Sequence, residues 1–492
     1  MFDLRRPWGI ILTKKAKCSY CDWTVVFILG VVALSCGWIY RNFAQDDAFI
    51  TYRYAKNIAN GHGFVYNSHE PVLGTTTPLY TLWLALLGKL SGQDIRLISH
   101  WVSVFSLWIG GILLYDLGRS SGILSASAVS LVFVSNPLLA YSMGMETCFL
   151  NLILLLALTS YVQGKLNLTG VLLGLLVLTR YETILFAGIL ALHFVIKRKQ
   201  IPLWSTCIAV LFLAWTIFAW RSFGSVIPQS VSAKLVAELG SPFALGAIVW
   251  WRIYAAQTAW YDLVLPLILL GTYAAIRNRK SEQANTLILI WSGVYFVGAS
   301  LVAGSFPWYY GPLIPGLSIL LVGGIEFLTR FLSTLLGRFY STKRLAQLTQ
   351  TSVLTVVTLG LVGLHISSWN KGGVVYRGQV VDSRYVVYRE AADWLNRRAG
   401  DDQTLATPEI GVLGYYTDMK IIDLYGLVTP TLTPWAEQDI RETLRKAIGL
   451  YAPDYILTDK GCLIELLQQY PEYKPVQRFG EDAYVLYDKT TR

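Results

Sequence analysis

The chain has 492 residues, of which 54% are hydrophobic and 15% are charged, and its mean hydropathy is +0.46. Soluble globular domains carry about 25% charged residues, so this composition excludes an ordinary soluble protein and places most of the chain in a membrane. The net charge of +10 arises from short Lys and Arg clusters between apolar runs, which favours a membrane-topology signal over a nucleic-acid-binding surface.

The N-terminal region is predicted to anchor the chain. A basic start precedes the apolar run Trp23 to Tyr40, which resembles a signal peptide. The sequence before Cys36 matches a lipobox poorly, so we expect an uncleaved anchor. The six cysteines predict no disulfide framework, and the CxxC at Cys18 and Cys21 lacks the second pair or nearby His that a zinc site needs.

Residues 41–77 are predicted to form a large first outer loop. The loop contains the adjacent carboxylates Asp46 and Asp47 and mixes charged with aromatic residues, which is typical of a folded segment and not of a flexible linker. Carboxylates and basic residues at a membrane edge suit a site that activates a hydroxyl and holds a phosphate. The other candidate site residues of this loop are Arg53, Lys56, His62, His69 and Glu70.

The later apolar runs predict the membrane topology. Pro78 to Leu90, about 13 residues, is short for a span and is predicted to be interfacial or re-entrant. The longer runs approach the 20 or so residues of a spanning helix and, with the first run, predict about eleven transmembrane helices. Basic clusters such as Lys197 to Lys199 mark the cytoplasmic face of an inner or plasma membrane. The longer runs are 95–117, 122–140, 146–163, 168–179, 183–196, 203–221, 261–276, 285–303, 309–328 and 349–367.

Several ionisable residues beyond the first loop are predicted to share its outer face. Counting spans from the basic clusters brings Glu146, Arg180 and Glu182 to that side, and a second outer loop, 222–260, adds Lys234 and Arg252. Ionisable residues at membrane boundaries are costly to place and usually functional. Arg180 and Glu182 also lie close enough in sequence to act only as a structural pair.

The composition becomes mixed and charged from residue 369 onward, which predicts a small extracytoplasmic α/β domain over 369–492. Turns are predicted at Gly411 and Gly414. The chain contains no GxGxxG or Walker pattern, so nucleotide binding is not predicted. The predicted helices are Arg384 to Arg398 and Asp439 to Tyr451, and the predicted strands are Thr404 to Ala406, Lys420 to Asp423, Tyr455 to Thr458 and Ala483 to Tyr487.

The motifs carry a resemblance to a known superfamily. DDAFITYRYAKNIANGHGFVYN, followed by GTTTPLYTLWLALL, is similar to the first external loop of polytopic glycosyltransferases of the GT-C superfamily. The resemblance is strongest to the mycobacterial arabinofuranosyltransferase B type, with aminoarabinose and protein-mannosyl transferases more distant. YSMGMET, LTRYE, IPQSVSAK and EIGVLGYYTDMKIIDLYGLVTP extend it along the chain. Relatives often carry Pro where this chain has Tyr181 and Asn where it has Gln229.

The resemblance implies a GT-C fold of about eleven transmembrane helices over 1–368, followed by the α/β domain. It also implies transfer of a sugar, arabinofuranose in the nearest type, from a polyprenyl monophosphate donor. The acceptor would be a hydroxyl of a cell-envelope glycan, lipid or protein at the outer face. Because the phosphate is already a good leaving group, the reaction needs a base for the acceptor and cations for the departing charge.

The expected roles follow from that reaction. Asp46 is the expected general base and Asp47 its partner, with the reverse order left open. The expected donor-phosphate cations are Lys234, Arg180 and Arg53, followed by Lys56 and Arg252. The residues expected to contact acceptor or sugar are Glu146, Glu182, His62, His69, Glu70, Gln229, Trp308, Tyr309 and Tyr310.

No cofactor is required for a monophosphate donor, although the clustered carboxylates could hold a divalent cation. Two other functions stay open. A lipid-linked glycan transporter or flippase also places ionisable residues in a membrane, but would show internal repeats, which this sequence lacks. A glycan polymerase or ligase that uses diphosphate-linked donors would share the chemistry and differ in the donor headgroup.

Overall fold

The computed structural model describes residues 20–231, 261–277, 283–302, 307–335, 343–369, 374–376, 379–400, 402–436, 439–481 and 483–490. Two parts make up the described chain: a helical bundle up to residue 369 and a C-terminal sheet domain. The helices of the first part are α1 Tyr20–Ile39, α2 Asp46–Ala59, α3 Pro78–Ser91, α4 Ile95–Gly118, α5 Ile123–Val134, α6 Pro137–Tyr141, α7 Thr147–Val162, α8 Leu166–Thr179, α9 Ile184–Arg198, α10 Ser205–Phe223, α11 Tyr261–Arg277, α12 Gln283–Val302, α13 Ile314–Leu335 and α14 Lys343–Ser368.

The bundle is built from apolar helices that correspond to the predicted runs. Six stretches within the described residues are long and apolar enough to cross a membrane, and α7, α8 and part of α11 are shorter apolar helices. Buried residues from these helices form one continuous hydrophobic core. The predicted membrane-protein class is therefore confirmed, and the number of spans stays a prediction. The six stretches are Asp22–Ile39, Ile95–Ser121, Ile123–Tyr141, Ser205–Phe223, Trp308–Thr334 and Gln347–Ser368.

The first outer loop is largely helical. In α2, apolar positions at helical spacing such as Ala48, Phe49 and Tyr52 are buried. Helix α3 begins at Pro78, where proline suits the first turn, and is capped by Gly92 in the left-handed conformation. It exposes Leu82, Trp83, Leu86 and Leu90, an apolar surface that fits the predicted interfacial position.

The C-terminal domain is an α/β domain. Its main sheet has the order β4-β3-β5-β7-β6, in which β4, β3 and β5 are parallel and β7 and β6 are antiparallel additions. The central strand β5 is buried along its length, as expected for a strand covered on both faces. The elements are strands β1 Val374–Tyr376, β2 Gln379–Val381, β3 Thr404–Thr407, β4 Lys420–Asp423, β5 Tyr455–Thr458, β6 Tyr473–Phe479 and β7 Tyr484–Lys489, and helices α15 Ser383–Asn396, α16 Gly411–Tyr416, α17 Thr433–Ala436, α18 Ile440–Tyr451 and α19 Gly461–Leu467.

The prediction of turns at Gly411 and Gly414 is wrong, because both residues lie in the short helix α16. The hairpin of β1 and β2, strand β6 and helix α19 were not predicted. The first outer loop and the C-terminal domain share one hydrophobic core, in which Phe49 and Tyr66 of the loop pack with Ile410 and Leu413. This shared core fixes the C-terminal domain over the end of the bundle that carries α2.

Candidate functional site

Helix α2 holds the N-terminal end of α16 through Asp46. Its carboxylate accepts hydrogen bonds from the backbone N–H groups of Gly411 at 3.0 Å and Val412 at 2.8 Å. A carboxylate is favourable at a helix N-terminus, where backbone donors have no partner within the helix. Asp46 is buried and is absent from the lining of the cavity described below. Its observed contacts are therefore those of a structural cap.

Arg53, two turns along α2, holds the region at the other end of α16. Its guanidinium donates to the backbone oxygens of Gly414, Met419 (2.9 Å) and Tyr66 (2.8 Å). Arg53 is buried and engaged with carbonyl groups, so its geometry gives no support to the phosphate-binding role predicted for it. Opposite charges at the two ends of α16 fit the direction of its dipole.

Glycine at two positions of α16 allows this helix to lie close to the Asp46 backbone and to the Tyr66 side chain. A Cβ atom on Gly411 would overlap the Asp46 backbone carbonyl, and one on Gly414 would overlap the Tyr66 hydroxyl. That hydroxyl donates to the Ile410 carbonyl oxygen at 2.6 Å. The two glycines therefore serve helix packing, which requires the absence of a side chain there.

Two further charged residues lie near the buried Asp46 carboxylate: Glu409 and Arg384, which are both partly exposed. Burial raises the pKa of Asp46 to about 6, opposed first by the Val412 N–H bond. Burial and then the charge of Asp46 raise the pKa of Glu409 to about 7. Arg384 lowers both values, and its Nη1 lies 3.4 Å from Glu409 Oε1. The junction between α2 and the C-terminal domain is therefore sensitive to protonation.

Asp47, the next residue, lines a narrow cavity between α2 and the bundle. The cavity has a volume of about 60 Å³, room for a few water-sized groups. Glu146 and Arg180 of the bundle line its other side, together with Trp308 and Tyr309. The structure thus brings together residues from four distant parts of the sequence. Of the acidic pair, Asp47 and not Asp46 faces these partners.

Arg180 is the cation of this cavity within the described residues. Its Nη1 lies 2.9 Å from Glu146 Oε1, its Nε lies 2.6 Å from Glu182 Oε1, and its guanidinium carbon lies 4.8 Å from the centre of the Tyr309 ring. The side chains of Arg180 and Glu146 are only 11% and 9% exposed. The sequence leaves open whether Arg180 pairs with Glu182. The structure contains this ion pair, and Arg180 also pairs with Glu146.

A cluster of threonine hydroxyls forms the wall beside Asp47. Thr75 Oγ1 lies 3.4 Å from Thr51 Oγ1, 3.2 Å from Thr77 Oγ1 and 3.3 Å from Thr81 Oγ1. Threonine hydroxyls both donate and accept hydrogen bonds, so this wall can form hydrogen bonds with a polar group of a ligand. In the sequence, the GTTTP motif resembles part of the first external loop of GT-C glycosyltransferases, but the sequence predicts no role for its hydroxyls. Thr51, Thr75, Thr76, Thr77, Ser230 and Leu427 also line the cavity.

The remaining predicted residues lie elsewhere. Lys56 pairs with Asp418 at 3.3 Å, and Glu70 pairs with Lys420, so both join the loop to the C-terminal domain. Gln229 donates through Nε2 to Thr433 Oγ1 at 2.8 Å. Three more predicted residues lie outside the cavity lining: His62 and His69 are exposed, and Tyr310 is buried in the bundle core. Lys234 and Arg252 lie outside the described residues.

No group of three or more His, Cys, Asp or Glu side chains within the described ranges stands where it could hold a metal ion. Asp47 and Glu146 are the carboxylates that line the cavity. Carboxylate oxygens are the ligands that hard divalent cations prefer, and such a cation would also need ligands from substrate or water.

Comparison with known proteins places the fold. A family model described as a domain of unknown function, DUF8728, matches residues 375–489. No curated protein matches the sequence. The crystal structure of ArnT from Cupriavidus metallidurans bound to undecaprenyl phosphate is similar, with a TM-score of 0.64 and 12% identity, over 96% of this chain and 99% of that one. The chain has the GT-C fold.

The GT-C likeness extends to a second enzyme. The apo oligosaccharyltransferase of Archaeoglobus fulgidus has a TM-score of 0.61 and 12% identity, over 98% of this chain and 75% of that one. The match therefore includes the C-terminal sheet domain as well as the bundle. The GT-C fold expected from the first-loop motif is confirmed.

Proposed function

We propose that this protein is a membrane glycosyltransferase that transfers a sugar from a polyprenyl monophosphate donor to an acceptor hydroxyl. The observation that carries the proposal is the cavity in which Asp47 faces Glu146 and Arg180 beneath the C-terminal domain. A carboxylate base, a second carboxylate and a cation are the groups that this transfer needs. The similar ArnT structure, which holds undecaprenyl phosphate, supports a polyprenyl-linked donor.

Asp47 is proposed as the general base. It takes the proton from the acceptor hydroxyl as that oxygen forms a bond to the anomeric carbon of the sugar. The bond between the anomeric carbon and the phosphate oxygen breaks, and polyprenyl monophosphate leaves with the bonding electrons. Glu146 supports the positive charge that develops on the sugar ring. The threonine hydroxyls beside Asp47 orient the acceptor.

Arg180 is proposed to act on the departing phosphate, assisted by Lys234. Two carboxylates already balance the charge of Arg180, so a phosphate must replace one of those contacts or approach the guanidinium beside them. Glu182 is 38% exposed and is the contact more easily replaced. Asp46 is proposed as a positioning residue, because its capping of α16 fixes the start of α2 and with it Asp47.

The sugar, the acceptor and the side of the membrane belong to the same proposal. The first-loop resemblance supports arabinofuranose as the sugar and a cell-envelope glycan, lipid or protein as acceptor. The ends of the bundle opposite Asp47 carry the basic clusters, which supports an extracytoplasmic cavity and C-terminal domain in a plasma membrane.

The proposal is tested with purified protein in lipid nanodiscs. The donors are short-chain polyprenyl phosphates that carry arabinofuranose, aminoarabinose or mannose, and an envelope glycan extract serves as acceptor. We expect acceptor-dependent release of polyprenyl monophosphate, detected by mass spectrometry, from one of these donors. Consumption of diphosphate-linked donors alone would indicate a polymerase or ligase. Movement of an intact labelled lipid between leaflets without cleavage would indicate a transporter.

A further inference from the structure

A second, larger cavity lies at the opposite end of the helical bundle. Its volume is about 570 Å³, within the range of about 300 to 1,000 Å³ typical of small-molecule sites. It is bounded by the ends of α4 and α11, the starts of α5 and α12, and the stretch of α13 from Ile319 to Arg330. Along α13, at 1.5 Å per residue, Arg330 lies about 24 Å from the helix start beside Tyr309. The two cavities share no lining residue among those described, so this cavity is separate from the candidate active site.

Most of the residues that line this cavity are apolar, and several of them are small. Gly118, Ala126 and Ala274 line it together with larger apolar residues such as Leu289 and Phe327. The outward face of α11 is apolar and exposed, for example at Leu269 with 61% and Ile276 with 77% exposure, so lipid chains surround the helix that forms one wall. Such a recess suits an acyl chain.

Two arginines and one glutamate line the cavity with these apolar groups. Glu326 accepts hydrogen bonds from the Ser125 hydroxyl and from Arg330 Nη2, the latter at 3.3 Å. Arg277 Nη1 donates to the Tyr273 hydroxyl, a neutral acceptor, at 3.3 Å. The side chain of Arg330 is 72% exposed, so most of its donors face outward. Among the described residues of the lining, the charged groups therefore sum to one positive charge.

We propose that this cavity binds an anionic glycerophospholipid of the leaflet at that end. The phosphate lies at Arg277 and Arg330, and an acyl chain fills the small-residue recess. Basic pockets between transmembrane helices bind anionic lipid headgroups in this way, and arginine matches the geometry of phosphate oxygens. Glu326 holds Arg330 toward the cavity rim and disfavours a ligand that presents a second anionic group deeper in the recess.

The test compares wild type with Arg277→Gln/Arg330→Gln and with the control Arg221→Gln, which removes an exposed arginine at the other end of the bundle. Each protein is exchanged into detergent, and binding of phosphatidylglycerol and phosphatidylcholine is measured by native mass spectrometry. We expect wild type and the control to bind phosphatidylglycerol with preference, and the double variant to bind it at least about tenfold more weakly. Equal binding by all three proteins contradicts the proposal.

A second variant, Ala274→Trp, fills the recess without changing a charge. We expect it to reduce phosphatidylglycerol binding as well, because the acyl chain loses its place. Undecaprenyl phosphate is the competing probe. If it displaces phosphatidylglycerol and binds more tightly at the same arginines, the site belongs to a polyprenyl lipid and the proposal is overturned. Neither result depends on glycosyl transfer, so the proposed function is tested separately.

Discussion

Two adjacent carboxylates serve different parts of this protein. Consecutive residues in a helix project about 100° apart, so the side chains of Asp46 and Asp47 at the start of α2 point in different directions. Asp46 accepts hydrogen bonds from the backbone of α16, and Asp47 lines the cavity that Glu146 and Arg180 also line. The sequence predicts Asp46 as the general base and Asp47 as its partner, with the reverse order left open, and our proposal takes the reverse order. That distinction depends on a backbone more than 360 residues away in the chain.

The buried pair of Arg180 and Glu146 yields the first prediction. Removing one partner of a buried ion pair leaves an uncompensated charge and costs about 3 to 5 kcal/mol. We expect Arg180→Gln and Glu146→Gln each to lower the thermal unfolding temperature, and the double variant to recover part of the loss. Turnover should fall in all three.

The matched control for this pair is Glu182→Gln, because Glu182 contacts the same arginine from a half-exposed position. It should cost no more than about 1 kcal/mol. Thermal unfolding in detergent and donor turnover are the two measurements. An Arg180→Gln variant as stable as wild type would show that Arg180 is not held as this structure places it.

Helix α16 shows how one element can depend on distant residues. Six residues are too few for an isolated helix or for a periodic sequence signal, which is why the sequence predicts turns at Gly411 and Gly414. The helix forms because Asp46 caps one end, Arg53 binds the other, and the shared core covers it. By contrast, the strands Lys420–Asp423 and Tyr455–Thr458 were predicted within their observed bounds, because buried strands carry a local apolar signal.

The packing of α16 against α2 gives the second prediction. Gly411→Ala places a methyl group against the Asp46 backbone, so we expect a loss of stability of about 1 to 3 kcal/mol and a fall in turnover as Asp47 shifts. Gly449→Ala in α18 is the control, because nothing lies within 4 Å of its added Cβ. That change should be neutral or stabilise by up to about 1 kcal/mol. Equal effects of the two substitutions on unfolding and turnover would contradict this packing.

The carboxyl groups of Asp46 and Glu409 at the same junction give a pH dependence to stability. Burial raises the pKa of Asp46 from 3.8 to about 6 and that of Glu409 from 4.5 to about 7, so the folded state holds more protons than the unfolded state in this window. Their contribution to stability is full below about pH 4 and is lost as the pH rises through about 6 and 7. As the pH rises from about 4 to 7, the unfolding temperature of wild type should therefore fall more than that of the double variant Asp46→Asn/Glu409→Gln. Parallel curves for the two proteins would count against this assignment.

At the scale of the whole molecule, the apolar runs and basic clusters predicted the helices, because hydrophobic length is a local property of the chain. The assembly of the candidate site was only partly predictable. Topology brought Glu146, Arg180 and Asp47 to one face, but the docking of the C-terminal domain on the first loop left no local signal. Lys56 and Glu70 are predicted at the site because they lie in the first loop, and Gln229 because it belongs to the IPQSVSAK motif. All three instead contact the C-terminal domain.

The proposed topology predicts which surfaces are reachable from outside the cell. Lys474 is exposed on the C-terminal domain, and Lys199 is exposed between α9 and α10 at the opposite end of the bundle. In intact cells, a membrane-impermeant maleimide should label Lys474→Cys and should label Lys199→Cys only after the membrane is opened. Labelling of Lys199→Cys in intact cells, with protection of Lys474→Cys, would reverse the proposed orientation.

The central claim, that the cavity at Asp47 carries out glycosyl transfer, is tested most directly by single-turnover cleavage of a polyprenyl-phosphate sugar donor. Wild type, Asp47→Asn and Asp46→Asn are compared in nanodiscs, with the folded fraction of each measured by thermal unfolding. Loss of a positioned base costs about 10²- to 10⁴-fold, so the rate of folded Asp47→Asn should fall by that factor. Asp46→Asn keeps a side-chain oxygen that can accept one hydrogen bond from a backbone N–H group. The cleavage rate of the folded Asp46→Asn protein should therefore stay within about tenfold of the wild-type rate. A wild-type rate for Asp47→Asn, or an equal loss in fully folded Asp46→Asn, would contradict the account.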